Sequence, residues 1–212
     1  MMHKQRIWDI KEYNKEKASC FAAELGISPL VTGILLERGV DSIDAMRDFL
    51  YGSAQPFHDP FLLKDMQRSV ERITRALATG EKLTVYGDYD VDGITASSLL
   101  YLYLKGRGAQ VQTYIPQRKS EGYGLNDEAL RTIAEGGSTL VITVDCGISG
   151  LHEVQQAPEC LDIIITDHHT VPPELPPAYA IINAKQSDCA YPFKELSGVG
   201  IAFKLCQALE QR

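Results

Sequence analysis

Short apolar runs alternate with amphipathic segments over residues 66–212. Four runs rich in β-branched residues are too short for buried helices and predict strands: Leu83–Tyr86, Val111–Ile115, Leu140–Val144 and Ile163–Ile165. Amphipathic segments, several closed by glycine, predict helices at about 66–79, 94–105 and 126–135, a short one before the fourth strand, and a last one from about Ser197. Continuous apolar strands that alternate with helices are typical of a parallel sheet covered on both faces. The pattern therefore predicts an α/β fold, with a mostly parallel sheet flanked by helices.

The first 65 residues follow a different pattern. Apolar residues at three-to-four spacing predict two short helices, one through Leu30, Ile34 and Leu35 and one through Ile43, Met46, Phe49 and Leu50. Ser28 and Ser42 are the predicted N-caps of these helices. The glycine, serine and two prolines of residues 51–60 predict a wrapping loop. We therefore expect a small helical N-terminal extension over residues 1–65 and an α/β core over residues 66–212.

The chain is acidic, with a net charge of -7 over 212 residues. A nucleic-acid-binding module usually presents a basic face, so this charge argues against such a ligand unless the acidic residues surround a metal site. The five cysteines include no Cys-x-x-Cys pair, which argues against a disulfide framework and a zinc cluster. No apolar run approaches the roughly 18–20 residues of a membrane span, and the polar start, Met1 to Asp9, does not resemble a secretion signal. We expect a cytoplasmic protein without a membrane segment.

Acidic motifs follow three of the four predicted strands. The first strand is followed by Asp88, Asp90 and Asp92, the third by Asp145, and the fourth by Asp167, His168 and His169. Parallel strands end at one edge of a sheet, and ligands bind beyond that edge. We therefore expect up to five carboxylates and two imidazoles to converge there.

The electrostatic repulsion within such a cluster must be compensated. Two carboxylates about 5 Å apart repel each other by roughly 3 kcal/mol at an effective dielectric constant near 20. Several such pairs need bound cations or strongly raised pKa values. Carboxylates mixed with imidazoles suit Mn²⁺, Fe²⁺ or Zn²⁺ better than Ca²⁺ or Mg²⁺, and these side chains suffice for two ions. Because a two-metal site can support in-line displacement at phosphorus, the pattern predicts metal-dependent phosphoester hydrolysis.

Other interpretations of these residues are simpler. The Asp88-x-Asp90-x-Asp92-Gly93 spacing resembles half of an EF-hand loop, but Leu99 stands where the bidentate glutamate belongs and a strand precedes the motif. Any one of the three aspartates can instead cap the following helix, and Asp145 can be a turn residue. Cys146 can act as a nucleophile, although neither neighbour is a natural base for it.

These motifs resemble those of the DHH phosphoesterase family. Asp167-His168-His169 is similar to the family signature, and Val-Asp145-Cys-Gly to its second motif. The segment Gly87–Gly93 resembles the RecJ branch, whereas small-molecule members carry a histidine where this chain has Tyr86. Residues 122–125 and 197–203 also resemble RecJ segments, so the likeness covers about 66–212.

The resemblance implies a role for each motif residue. It implies that the enzyme binds Mn²⁺, with Mg²⁺ as an alternative, and that the complete enzyme holds two ions. The implied metal ligands are Asp88, Asp90, Asp92, Asp145 and His168. It implies that His169 assists catalysis near the scissile phosphate and that Asp167 orients the histidines. Arg118 is a candidate phosphate clamp, or else a solvated surface arginine. The amides of Gly198 and Gly200 are candidates to hold a phosphate, unless these glycines serve close helix packing.

The function implied by the resemblance is a single-strand-specific exonuclease of DNA repair and recombination that degrades DNA from 5′ to 3′ and releases mononucleotides. It also implies single-strand-binding protein and a repair helicase as partners. A phosphodiesterase for short oligonucleotides or cyclic dinucleotides and an inactive scaffold are the two rivals. The family's fourth ligand motif has no match in residues 170–212. We therefore expect this chain to be an incomplete fragment, with much of the basic DNA-binding surface elsewhere.

Overall fold

The computed structural model describes residues 13–52, 57–117, 122 and 124–212. Contacts divide the chain into two compact units, one reaching to Phe57 and the other running from His58 to Arg212. The described part of the first unit contains three short helices: α1 (Lys15–Leu25), α2 (Pro29–Glu37) and α3 (Ile43–Tyr51). The N-caps predicted at Ser28 and Ser42 are confirmed, since each hydroxyl accepts a backbone N–H from the first turn.

Helix α2 has apolar side chains on several sides, and only some of them are buried in the first unit. Of its predicted stripe only Leu35 is buried, whereas Leu30 is 63% and Ile34 47% exposed. The contact face of α2 is instead centred on Leu35 and Thr32, whose hydroxyl donates to Ala18 O of α1 at 2.8 Å. A surface helix buries a limited stripe against its neighbours, so the remaining apolar side chains stay outside. Among the described residues no single helix is long and apolar enough to cross a membrane; α1 and α2 meet that standard only as a pair, bent by 119°.

The second unit is built on five parallel strands. They are β1 (Lys82–Gly87), β2 (Gln110–Tyr114), β3 (Ser138–Val144), β4 (Asp162–Thr166) and β5 (Ala180–Ile182). Their order in the sheet is β2-β1-β3-β4-β5, and every neighbouring pair is parallel. The predicted parallel α/β fold is confirmed, with β5 as an additional strand. Because β2 and β3 lie on opposite sides of β1, the strand order reverses between β1 and β3, where ligand crevices open in such sheets.

Helices cover both faces of this sheet. They are α4 (Met66–Thr79), α5 (Val91–Gly106), α6 (Asp127–Glu135), α7 (Leu151–Gln155) and α8 (Gly198–Glu210). Buried residues of α4, α5 and α8 form one core with the sheet, and those of α6 and α7 form a second core on the opposite face. This arrangement leaves the carboxyl ends of the strands as the edge where polar side chains gather.

The second compact unit includes residues that precede α4. Lys204 Nζ donates to His58 O at 2.8 Å, and Cys189 Sγ lies 3.8 Å from Leu62 O, so the segment from His58 onward is fastened to the core. The contact boundary therefore falls at residues 57 and 58. The domain limit expected at residues 65 and 66 stays a prediction.

Buried Arg72 ties the amino ends of the strands together. Its side chain is 4% exposed and donates to Asp162 Oδ2 at 2.5 Å and to Glu81 Oε2 at 2.7 Å. Thr139 Oγ1 donates to the same Glu81 oxygen at 2.6 Å. Burial tends to raise the pKa of Glu81, but the hydrogen bonds from Arg72 and Thr139 outweigh it and hold that pKa below its ordinary value of 4.5. One guanidinium thus links α4 with the starts of β1, β3 and β4.

Replacing Arg72 should destabilise the protein strongly. Arg72→Met leaves Glu81 and Asp162 without their shared cation, and we expect the free energy of unfolding to fall by about 3 kcal/mol in urea denaturation. The matched control is Arg75→Met on the same helix, because Arg75 is 58% exposed and lies 3.9 Å from the same Asp162 oxygen. That variant should lose less than about 0.5 kcal/mol. Equal losses in the two variants would contradict the central role of Arg72.

The loss should also depend on pH. Because Glu81 has a lower pKa when folded than when unfolded, its ion pair contributes fully above pH 4.5 and fades as pH falls through the folded pKa. The difference in unfolding free energy between the native protein and Arg72→Met should therefore shrink in acid. A difference that stays constant from about pH 7 to about pH 3 would exclude this linkage.

Candidate metal centre

Asp145, at the carboxyl end of β3, occupies the centre of the predicted cluster. Its backbone is left-handed, with φ of 61°, a conformation that aspartate and asparagine tolerate better than most residues. Its N–H donates to Thr166 O at 3.0 Å, which ties the turn to the end of β4. A Cβ added at Gly198 would lie 2.5 Å from Asp145 Oδ1, so only glycine allows α8 to approach this closely. The carboxylate is therefore held in a buried position between β3, β4 and α8.

Two groups of potential ligands share Asp145. Asp88 and Asp90 form one group with it, and His168 and His169 form the other; within each group the ligand atoms lie within 4.8 Å of one another. Asp88 directly follows β1 and Asp145 follows β3, so the cluster lies where the strand order reverses. The structure thus brings these five side chains together, as the parallel strands predict.

One oxygen of the Asp145 carboxylate has no hydrogen-bond donor in the part of the chain that the structure describes. Its Oδ1 is buried, and among the described residues no hydrogen bond reaches it. His168 Nε2 lies within ion-pair distance, 3.0 Å, but is not aligned as a hydrogen-bond donor. Burial, together with the charges of Asp92 and Asp90, raises the pKa of Asp145 to about 7, although His169 opposes the rise. A buried oxygen without a partner is costly, and a divalent cation fits a donor set of carboxylates and imidazoles.

Helix capping and cluster membership coexist at Asp90. Its Oδ1 accepts the Gly93 N–H at 2.9 Å and so caps α5, while the same residue belongs to the ligand group with Asp88 and Asp145. A carboxylate has two oxygens, so one can cap the helix while the other faces the cluster. Gly93 is needed for this turn, because a Cβ there would lie 2.6 Å from Asp88 O. The capping alternative therefore does not compete with metal binding.

Asp92 joins the cluster to the start of α8. Its two oxygens accept the N–H groups of Gly198 and Val199, each at 2.8 Å. Asp92 Oδ2 lies 3.7 Å from His168 Nε2, although Asp92 belongs to neither ligand group. Its role as a ligand stays a prediction.

The α8 amides that were candidates for phosphate binding already have acceptors. Gly198 N–H donates to Asp92, and Gly200 N–H donates to Ser197 Oγ at 3.2 Å. A phosphate would have to displace these acceptors, so phosphate binding at the two glycines stays a prediction. For Gly198 the contact with Asp145 supports the alternative, close packing.

Asp167 orients His169 through a partly buried hydrogen bond. The Asp167 carboxylate is 1% exposed, and its Oδ1 accepts from His169 Nδ1 at 2.7 Å. It also accepts the N–H groups of His168, His169 and Ile148 at 2.7, 3.0 and 2.9 Å. Four donors on one buried carboxylate fix both the turn and the imidazole, which is the geometry of an orienting residue.

This pairing stabilises the protonated imidazole. The hydrogen bond that His169 donates to Asp167 raises the pKa of His169, and burial opposes that rise. Burial tends to raise the pKa of Asp167, but the hydrogen bonds from His169 and Ile148 outweigh it and lower that pKa. The pair therefore favours a positively charged His169 beside an ionised Asp167.

A cavity of about 290 Å³ adjoins His169. Its other lining residues are Ile148, Ser149, Asp167 and Thr170. Ser149 and Thr170 are exposed and bring hydroxyl groups to the cavity. The sequence patterns did not single out either residue, since neither belongs to a motif.

Tyr86 stabilises a loop near the cluster. Its buried hydroxyl donates to Gly124 O at 2.8 Å and accepts from Asn126 Nδ2 at 3.2 Å, and its ring stacks on Tyr114 with centroids 5.3 Å apart. Cys146, the alternative nucleophile, is 1% exposed, and burial raises its thiol pKa well above the ordinary value, which opposes that role. Arg118, the candidate phosphate clamp, lies outside the described residues.

Asn183 is a site neighbour that sequence reasoning missed. It follows β5, is fully buried, and donates from Nδ2 to His169 O at 3.0 Å. The available signal was the short run Ala180-Ile181-Ile182, a fifth apolar segment after a proline-rich loop. Its three residues are too few for a periodic pattern, so the strand end went unrecognised.

Comparisons with known proteins place this geometry in a family. The single-stranded-DNA-specific exonuclease RecJ of Bacillus subtilis is 46% identical over 210 residues, which are 99% of this chain and 27% of that protein. The exonuclease of the same name from Escherichia coli is 34% identical over 208 residues, 97% of this chain and 35% of that protein. This chain thus spans only about a third or less of the length of these curated relatives.

A solved structure agrees with the fold. The crystal structure of RecJ in complex with Mn²⁺ from Thermus thermophilus superposes with a TM-score of 0.70 at 27% identity, covering 96% of this chain and 28% of that one. The family model described as DHH family, N-terminal domain, matches residues 82–212, which include every strand of the sheet and the whole ligand cluster. The chain therefore belongs to the DHH family.

Proposed function

We propose that this chain forms the metal-binding part of a single-stranded-DNA-specific exonuclease that hydrolyses phosphodiester bonds. The observation that carries the proposal is the ligand cluster around Asp145, at the reversal of strand order where parallel sheets bind ligands. The names of the Bacillus subtilis and Escherichia coli relatives support the same activity. Because this chain covers 27% and 35% of those proteins, the DNA substrate and the 5′ to 3′ direction are proposed for the whole protein.

The proposed cofactor is Mn²⁺, with Mg²⁺ as a substitute. Mixed oxygen and nitrogen donors favour Mn²⁺ over Ca²⁺, and the Thermus thermophilus relative was crystallised with Mn²⁺. Since two ligand groups share Asp145, we propose two ions, held by Asp88, Asp90, Asp145 and His168, with Asp92 as a further ligand. The chemistry supplied by such ions is polarisation of the phosphate and a lower pKa for the attacking water.

We assign proton transfer and nucleotide positioning to side chains of this protein. Asp167 orients His169 through Nδ1 and stabilises its protonated form. Proton transfer to the leaving oxygen is therefore assigned to His169 Nε2. We place the nucleotide to be released in the cavity beside His169, where Ser149 and Thr170 provide hydroxyl donors. In this scheme His169 acts on the scissile phosphate from beside the metal ligands, because one of its ring nitrogens lies within 4.8 Å of the ligand atoms of Asp145 and His168.

Two rivals make different use of the same cluster. In a phosphodiesterase for oligonucleotides or cyclic dinucleotides, position 86 would carry a histidine; Tyr86 is instead buried and bonded to Gly124 and Asn126. An inactive scaffold would not need five converging ligand side chains, nor a buried Asp145 oxygen to which none of the described residues donates a hydrogen bond. Both observations favour the nuclease. The partners single-strand-binding protein and a repair helicase and a role in DNA repair and recombination stay predictions from the resemblance. A cytoplasmic location stays a prediction from the sequence.

Divalent metal should stabilise this chain. At a concentration about 100 times the dissociation constant, Mn²⁺ should add about 2.7 kcal/mol to the free energy of unfolding, which corresponds to a rise of roughly 5–10 °C in Tm. Ca²⁺ should produce a smaller rise. Asp145→Asn should abolish the response to Mn²⁺, because asparagine keeps the left-handed turn but removes the shared charge. Differential scanning fluorimetry measures both effects.

The control for this experiment is Asp188→Asn. Asp188 pairs with Lys64 at 2.7 Å and is 63% exposed, away from the ligand groups. This variant should keep the full Mn²⁺ response. No rise in Tm at millimolar Mn²⁺ in the native chain would refute a preformed metal site.

The 212 residues by themselves should hydrolyse DNA poorly. The relatives are about three times longer or more, and the resemblance implies a further ligand and a groove wall in the additional length, on both of which positioning in the transition state depends. The measurement compares the specific activity of this chain with that of a protein extended to the length of the relatives. Equal activity would show that this chain contains the complete active site.

Substrate and salt dependence separate the nuclease from the small-molecule rival. The whole protein should digest long single strands from the 5′ end and leave blunt duplex largely intact, because a narrow cleft admits a flexible strand. Phosphate contacts along the strand should make the activity fall steeply with salt. The assay digests strands labelled at either end with Mn²⁺ over a salt series, beside a dinucleotide. Preference for the dinucleotide, or attack from the 3′ end, would place the protein outside the RecJ branch.

A further inference from the structure

We propose that Asn183 is a positioning residue for the metal centre, acting by holding the segment that carries His168 and His169. This inference rests on the proposed function, because it assigns the ligand His168 and the proton donor His169 to that segment. Asn183 itself contacts neither imidazole in any hydrogen bond described for it; its side chain acts on the backbone.

The segment from Asp167 to His169 is fastened to β5 at both ends. The Asp167 N–H donates to Ile182 O at 3.0 Å. Asn183 Nδ2 donates to His169 O at 3.0 Å. Two consecutive residues at the end of β5 thus bracket the histidine pair. Because the segment turns sharply within three residues, loss of either anchor would allow both rings to shift.

Asparagine is suited to this position because its amide both donates and accepts. While Nδ2 donates to His169 O, Oδ1 accepts the Lys185 N–H at 2.8 Å. The side chain is 0% exposed, so water cannot readily replace either bond. An aspartate would keep the acceptor but lose the donor, and an apolar side chain would lose both. The amide therefore fixes the distance between the turn after β5 and the histidine segment.

Gln186 provides an internal comparison. It lies on the same turn, is 3% exposed, and donates from Nε2 to Ile181 O at 2.9 Å. Its Nε2 donates to backbone oxygens of residues 181 and 183, which lie outside the histidine segment. Both amides contribute to the stability of the turn, but only Asn183 connects the turn with the proposed metal centre.

The test measures Mn²⁺ affinity and stability separately in this chain. Asn183→Leu and Gln186→Met each replace a buried amide by an apolar side chain of similar size, without changing charge. Both variants should lower the Tm of the metal-free chain. Only Asn183→Leu should also weaken Mn²⁺ binding, by about tenfold or more, the effect usual for residues that orient metal ligands. Titration of Mn²⁺ followed by electron paramagnetic resonance, well below both Tm values, gives the dissociation constants.

Each outcome decides between the alternatives. An unchanged Mn²⁺ affinity in Asn183→Leu, or an equal loss in Gln186→Met, would overturn the positioning role while leaving the metal centre intact. Failure of the native chain to bind Mn²⁺ would instead refute the metal centre, and the positioning role with it. If Asn183→Leu does not fold, Asn183→Ser answers the same question, because serine is also uncharged and its hydroxyl can accept the Lys185 N–H.

Discussion

The repulsion among carboxylates gathered between β1 and β3 is the constraint on which the rest of the site depends. Parallel strands that end together place Asp88 and Asp145 on adjacent strands, and the turn after β1 adds Asp90 and Asp92. At such distances each pair costs several kcal/mol unless donors or cations compensate. The surrounding backbone provides most of the donors. Asp90 caps α5, and Asp92 accepts two N–H groups from the start of α8.

The negative charge of Asp145 is not compensated by hydrogen bonds in the same way. Its Oδ1 is buried, no hydrogen bond from the described chain reaches it, and burial raises its pKa to about 7. The left-handed turn at Asp145 and the close approach of Gly198 keep the carboxylate in this position. Residues held against their own preference are typical of functional sites. Bound divalent metal is the partner that we propose for this oxygen, which connects the electrostatic imbalance with the proposed hydrolysis.

The two ends of the sheet use charge in opposite ways. At the amino ends, Arg72 neutralises Glu81 and Asp162, and the resulting network serves the fold alone. At the carboxyl ends, negative charge is concentrated and His169, paired with Asp167, is the nearby cationic group favoured by the site.

Apolar periodicity and glycine positions are local signals, so the amino-acid sequence was sufficient to predict the α/β class, four of the five strands, the helices between them and the motifs at three strand ends. Parallel pairing then carried Asp88, Asp145 and His168 to one edge without any further information. The contacts of each carboxylate became known from the folded chain, since those contacts join distant parts of the sequence. Asp92 meets Gly198 across 106 positions and Arg72 meets Asp162 across 90, and no local pattern encodes such pairs. Strand β5 and Asn183 also required the structure, because three residues are too short for a periodic pattern and their pairing depends on β4.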